Sequence, residues 1–195
     1  RDGAVYAAGH LPQAINIALD GRFENWVGIM ASPEARLVLV GDTAAELREG
    51  VRRLHRIGYT ARGLLYGEIA RAKIPLRQSG LLSPSELYAA MNRDDAPMIV
   101  DVRNPAEFSQ VRIGAVVNLP LLHLADSSAR LAPREPVVTV CHSAYRSSLA
   151  IGLLERAGFT DIATLAGGME AWLEAGLPTI RDADAAPQSG GCKVR

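Results

Sequence analysis

The run Leu37-Val38-Leu39-Val40 lies 100 positions before a second run of the same kind, Val137-Val138-Thr139-Val140. The spacing then persists. Val51 falls on Ile151, Leu54 on Leu154, Arg56 on Arg156, Gly58-Tyr59-Thr60 on Gly158-Phe159-Thr160, and Leu65 and Gly67 on Leu165 and Gly167. Upstream, at an offset of 102, Tyr6 to Leu19 matches Phe108 to Leu121, with Asn16 on Asn118. Self-similarity at a fixed period means one structural unit used twice. The chain reads as two copies of one α/β unit. The same alignment places Arg1 on Arg103. In the second copy a helix near Pro84–Asn92 and the strand Met98–Val102 precede that arginine, and the first copy has no counterpart for either. The expectation is that the first copy begins inside a domain.

Pattern gives the second copy its elements. Ser83-Pro84-Ser85-Glu86 is a helix start, with Ser83 as N-cap, Pro84 at the first helical position and Glu86 at the third. Met98–Val102, Val116–Leu119 and Val137–Val140 are short apolar runs rich in β-branched residues, as buried parallel strands are. Ser147–Ala157 carries apolar residues at helical spacing and is followed by Gly158, where a helix-ending glycine belongs. Asp161–Leu165 reads as another strand, and Gly168–Ala175 as a helix containing Trp172, which belongs to the core. Strands alternating with helices predict an α/β fold, a mostly parallel sheet covered by helices on both faces. The expected organisation is a truncated first domain at 1–76, a linker at 77–82, a complete second domain at 83–181 and a flexible tail at 182–195.

The bulk composition narrows the function. A formal net charge of zero argues against a nucleic-acid binder. No apolar run approaches the roughly 20 residues that span a bilayer. Two distant cysteines, Cys141 and Cys192, make no disulfide framework, and a reducing cytoplasm is the expected setting. His10, His55 and His123 show no metal-ligand spacing, and no cofactor is expected.

The chemistry concentrates in Cys141-His142-Ser143-Ala144-Tyr145-Arg146-Ser147. Cys141 directly follows a strand, and a helix follows the loop. Open α/β sheets place ligands at the carboxyl ends of their strands. The first-turn N–H groups of the helix lack intrahelical partners, so a thiolate beneath them is stabilised. Arg146 adds a permanent cation suited to oxyanions.

These residues carry a resemblance. Asp101-Val102-Arg103 with Pro105 and Glu107-Phe108, Asn118-Leu119-Pro120, the cysteine loop, Ala157-Gly158-Phe159 and Gly167-Gly168-Met169 with Ala171-Trp172 resemble the tandem rhodanese family across nearly all of 83–180. The resemblance implies two rhodanese-like domains and a sulfurtransferase. Its catalytic residue would be Cys141, which takes a sulfane sulfur from thiosulfate or a persulfide and passes it to a thiol or cyanide. The backbone N–H groups of His142, Ser143, Ala144, Tyr145, Arg146 and Ser147 would hold the anionic sulfur. Arg146 would steer a donor's sulfonate, and Arg103 would line or brace the site. One departure is visible: the Gly-His-Ile-Pro-Gly-Ala stretch common in the family is here Val111-Arg112-Ile113-Gly114-Ala115, while the first copy keeps Gly9-His10-Leu11-Pro12. Related phosphatases and arsenate reductases use a loop one residue longer, so that chemistry is the weaker reading. A scaffold module without turnover is the non-enzymatic alternative.

At the offset of 100, Gly41 falls on Cys141 and Glu46 on Arg146, so the first copy is expected to be catalytically inactive. By resemblance, tandem rhodaneses with an inactive first copy occur downstream of a metallo-β-lactamase-type persulfide dioxygenase domain. A fused upstream metal-dependent domain is therefore an expected partner, alongside small sulfur donors and thiol acceptors. Cys192, in the small-residue stretch after Arg181, is a candidate sulfur relay or an idle thiol.

Overall fold

A computed structural model describes residues 1–182; the expected tail, apart from Asp182, and Cys192 with it, lie outside the described residues. The elements run in order α1 (Gly3–Ala8), α2 (Phe23–Met30), β1 (Arg36–Gly41), α3 (Ala44–Arg56), β2 (Thr60–Leu65), α4 (Tyr66–Arg71), β3 (Gly80–Leu82), α5 (Pro84–Met91), β4 (Met98–Asp101), α6 (Pro105–Gln110), β5 (Val117–Asn118), α7 (Leu124–Ser127), β6 (Val137–Val140), α8 (Tyr145–Arg156), β7 (Ile162–Leu165) and α9 (Gly168–Glu174). Among the described residues no helix is long and apolar enough to cross a membrane.

The larger sheet has five strands in the order β3-β7-β6-β4-β5, every pair parallel. β6 is central, with Met98 and Ile162 flanking Val137 on its two sides, and all four of its residues are buried. That position explains its unbroken apolar run. Thr139, the one polar residue in the strand, is satisfied through Oγ1, which lies 3.3 Å from the Ala163 carbonyl and 3.2 Å from Thr164 Oγ1.

Side chains alternate between two cores, as the period of a strand requires. Val100 and Val137 pack with Leu149, Ile151, Leu154 and Phe159 on one face, joined by Tyr6 from the N-terminal segment. Ile99, Val138 and Val140 pack on the other with Leu87, Leu165, Met169 and Trp172. Trp172 is core, as expected, and its indole N–H donates to the Pro178 carbonyl at 3.0 Å.

The N-terminal part has a parallel two-stranded sheet, β1 with β2, and its own small core of Phe23, Val27, Leu54, Tyr59 and Ala61. A buried polar clasp fastens the N-terminal segment to α8. His10 is stacked on Tyr6 at 4.0 Å between ring centres, and its Nε2 lies 3.1 Å from Glu155 Oε1. The Glu155 carboxylate also accepts the Gln13 N–H at 2.5 Å and faces Arg77 at 3.6 Å. Gly152 on the same helix lets the backbone of Ala14 pass; a Cβ there would sit 2.0 Å from the Ala14 carbonyl oxygen.

Three expected boundaries move. The linker 77–82 is not free of structure: Arg77 exchanges two backbone hydrogen bonds with His10, and Gly80–Leu82 is the edge strand β3, paired with β7. A Cβ at Gly80 would meet Ala163 Cβ at 2.8 Å, so a residue that reads as linker composition is there for close strand packing. The strand expected over Val116–Leu119 is reduced to Val117–Asn118. Helix α8 begins at Tyr145 and not at Ser147, because Ala144 takes a left-handed conformation (φ 68°) and turns the chain into the helix two residues early.

Candidate active site

Cys141 directly follows β6 and is fully buried. Its Sγ accepts the backbone N–H of Ser147 at 3.4 Å. Ser147 is the third residue of α8, so the thiol sits under the first turn of that helix. No side chain caps α8, since its N-cap is Ala144. The helix N-terminus is therefore left open to the sulfur, where its unpaired N–H groups and partial positive charge favour an anion.

The opposite side of the loop is held by α9. Met169 N–H donates to the Cys141 carbonyl at 2.8 Å, and Glu170 N–H to the His142 carbonyl at 3.1 Å. The carbonyls are thus drawn away from the α8 side. Gly168 makes this possible. It has φ +62°, and a Cβ there would lie 2.5 Å from both carbonyl oxygens. Sequence reasoning quoted Gly168 as part of a motif but gave it no role in the site.

Arg146 forms a two-pronged ion pair with Glu107, Nη1 to Oε2 at 2.7 Å and Nη2 to Oε1 at 2.6 Å. Glu107 is fixed in turn by a capping box at the start of α6: its N–H donates to Asn104 Oδ1 at 2.9 Å, and its Oε2 accepts the Asn104 N–H at 3.2 Å. The Arg146 guanidinium holds the Glu107 carboxyl below the ordinary carboxylate range, and Glu107 raises Arg146 in return. Arg146 was expected to steer a donor's sulfonate; the structure places it as the bolt between α8 and α6. Glu107 stands in the sequence motif without a role, and its pairing with Arg146 gives it one.

Arg103 is buried beneath the site. It is 3% exposed, with its guanidinium on Asp101 at 3.0 and 2.6 Å and on the Val111 carbonyl at 2.7 Å. Of the two roles expected for it, lining or bracing, its placement fits only bracing, because a buried guanidinium must have its donors satisfied.

The remaining loop residues lie between Cys141 and the first turn of α8. His142 and Ser143 are exposed at the rim. His142 Nε2 lies 3.0 Å from Glu170 Oε1. Tyr145 is half-buried, and burial first, with Asp20 second, raises its phenol above the usual range. The hydroxyls of Ser147 and Tyr145 are buried without a hydrogen-bond partner among the described residues. A cleft of about 450 Å³ runs beside the loop, between Ser143, Ala144 and Tyr145 and the N-terminal residues Asn16 and Asp20.

The N-terminal part handles its equivalent turn differently. Gly41 is the last residue of β1, and the next helix, α3, is capped by its own side chains: Thr43 Oγ1 accepts the Glu46 N–H at 3.2 Å, and Glu46 Oε2 accepts the Thr43 N–H at 3.1 Å. The Thr43 hydroxyl takes the third-residue N–H of α3, the position whose N–H in α8 goes to the sulfur.

Comparison with known proteins agrees with this geometry. The family model of the rhodanese-like domain matches residues 83–175. An uncharacterized protein of Synechocystis is 39% identical over 95 residues, 49% of this chain; the match spans 53% of that relative's own length, about half. The thiosulfate sulfurtransferase GlpE of Pseudomonas syringae is 33% identical over 89 residues, 46% of this chain and 83% of that protein. The solution structure of a rhodanese-like domain from an Anabaena protein has the same fold, with a TM-score of 0.51 at 23% identity over 60% of this chain and 91% of that one. With a cysteine seated at a strand end under a helix N-terminus, and a sulfurtransferase relative matched over most of its length, this chain belongs to the rhodanese family.

Proposed function

We propose that the chain is a sulfurtransferase in which Cys141 takes a sulfane sulfur from thiosulfate or a persulfide, holds it as a persulfide and hands it to a thiol or to cyanide. The observation that carries this reading is the open N-terminus of α8 over Cys141 Sγ, with the Ser147 N–H on the sulfur. A thiolate and a persulfide anion are both stabilised in such a place. The loop has four residues between Cys141 and Arg146, which favours sulfur over a tetrahedral phosphoryl group.

The test is thiocyanate production from thiosulfate and cyanide, together with intact mass after donor treatment. Wild type should gain about 32 Da on Cys141, one sulfur atom in the mixed-sulfur chemistry of thiols. Cys141→Ser should gain nothing and make no thiocyanate. A wild type that loads no sulfur from any common donor would leave the scaffold reading in its place.

The same proposal assigns residues 1–76 as an inactive first copy. Its supports are local and specific. α1 and α6 begin and end 102 positions apart, and Asp2 and Asn104 cap them. Asn16 Nδ2 donates to the Arg1 carbonyl at 3.1 Å, as Asn118 Nδ2 donates to the Arg103 carbonyl at 2.9 Å. Gly41 gives that copy no thiol at the position of Cys141, and the start of α3 is closed by its own capping box. An upstream metal-dependent domain that makes or consumes persulfides is the kind of fused partner this site would serve, and the sequence preceding Arg1 tests it.

A further inference from the structure

The two halves of the proposed transfer differ in their need for a base. Loading requires only a thiolate at Cys141, whose sulfur meets the Ser147 N–H. Release to a thiol requires that the acceptor attack as its own thiolate, and free thiols ionise only near pH 8.5 or above, leaving most of the acceptor protonated at neutral pH.

His142 directly follows Cys141 and is held twice by one residue of α9. Glu170 takes its ring, Nε2 to Oε1 at 3.0 Å, and its carbonyl, through the Glu170 N–H at 3.1 Å. Both side chains are more than half exposed, 60% and 53%, while Cys141 beside them is fully buried. The ring therefore stands at the rim of the site, where an acceptor arrives from solvent. A carboxylate only accepts, so the neutral tautomer that suits this contact is the one with its proton on Nε2 and a lone pair on Nδ1. Among the described residues no hydrogen bond engages Nδ1 of His142. Of the charged groups around the loop, Arg146 of α8 is paired with Glu107 of α6, Arg103 with Asp101 at the end of β4, and Glu170 of α9 is the ring's partner; Asp2, Asp20 and Arg1, the last paired with Asp42, line the cleft from the N-terminal side.

We propose that His142 is the general base that deprotonates an acceptor thiol, that Glu170 is the positioning residue that fixes its ring, and that the acceptor class is therefore thiols. The inference rests on the persulfide reading of Cys141. In the step, the acceptor's S–H proton passes to Nδ1 while its sulfur attacks the outer sulfur of the Cys141 persulfide. A new S–S bond forms on the acceptor, the bond to Cys141 Sγ breaks, and its electron pair returns to Sγ as thiolate. The proton leaves His142 to solvent or to the product persulfide. No external oxidant or reductant enters.

The experiment preloads Cys141 with sulfur from inorganic polysulfide and follows loss of the added mass on mixing with 2-mercaptoethanol or with sulfite. Sulfite, an anion without an S–H proton to remove, needs no base. His142→Gln should slow thiol-dependent unloading about thirtyfold near pH 7, within the usual contribution of a general base. The deficit should shrink to about threefold or less near pH 9.5, where the acceptor ionises by itself. Sulfite-dependent unloading should stay within about twofold of wild type. Glu170→Gln, which leaves the ring in place, should show a smaller loss with the same pH dependence, and Glu170→Asp should recover part of it. Equal slowing with thiol and sulfite, a pH-independent loss, or no loss would overturn the base assignment while leaving the persulfide reading intact. Failure of wild-type Cys141 to load at all would overturn the persulfide reading and this inference together.

Discussion

Arg146 and Glu107, 39 residues apart in the chain, are joined by two hydrogen bonds of 2.7 and 2.6 Å that tie the first turn of α8 to the first turn of α6. Both side chains are less than a third exposed. The pair fixes one end of the loop that carries Cys141, while α9 fixes the other.

Removing one partner should therefore cost stability. Glu107→Gln leaves a half-buried guanidinium without its countercharge, and chemical denaturation should show a loss of about 1–3 kcal/mol at neutral pH. The pH dependence has a definite sign. The folded carboxyl of Glu107 lies below its ordinary range, chiefly through its hydrogen bonds to Arg146, so the stabilisation is present above the unfolded value and disappears as pH falls through the folded value. Wild type and Glu107→Gln should converge in stability below about pH 4, where the unfolded carboxyl is protonated and the folded one follows.

Gly168 and Gly176 share nearly the same backbone conformation, φ +62° and +64°, but only Gly168 has atoms in the way of a Cβ. Gly176→Ala should cost about 1 kcal/mol, the usual penalty of a side chain in the left-handed region. Gly168→Ala adds a collision with the Cys141 and His142 carbonyls and should cost about 3 kcal/mol or more, with loss of sulfur loading on Cys141. Paired thermal melts and intact-mass loading would check both.

Ala144 is the reverse case. It is a non-glycine residue at φ 68°, at the point where the loop turns into α8. Ala144→Gly should raise stability by about 0.5–1 kcal/mol, since the strain relieved exceeds the added freedom of the unfolded chain. A fall in the denaturation midpoint would count against the strain.

The clasp between the N-terminal segment and α8 makes a further prediction. Glu155 is 5% exposed and serves His10, the Gln13 N–H and Arg77. Glu155→Ala should destabilise by about 2–4 kcal/mol, because a buried N–H and an imidazole lose their acceptor. Gly152→Ala attacks the same contact sterically, through the Ala14 carbonyl. Limited proteolysis should cut residues 1–76 faster in both variants than in wild type.

Much of this was legible in the sequence because it is local. The capping box of Ser83 and Glu86 lies within one helical turn, and it forms as the spacing predicts. The strand before Cys141 and the helix after it show in their periodicity, and together they put the thiol under a helix N-terminus. The start of α8 was misplaced by two residues, since nothing in the composition of Ala144 announces a left-handed turn. β3 was taken for linker because three residues are too few for a period to show.

The sequence by itself determined the alternation of strand and helix, the place of Cys141 directly after a strand and the loop of four residues between Cys141 and Arg146, all consequences of interactions between neighbours in the chain. The tertiary structure alone decided what those residues face. That Arg146 meets Glu107, that His142 meets Glu170, that Arg103 is buried on Asp101 and that Gly168 lies against the Cys141 carbonyl depend on how β4, β6 and β7 align and on which helices their connections bring over the loop. Contacts of that kind follow from the packing of whole elements, and no short stretch of sequence contains them.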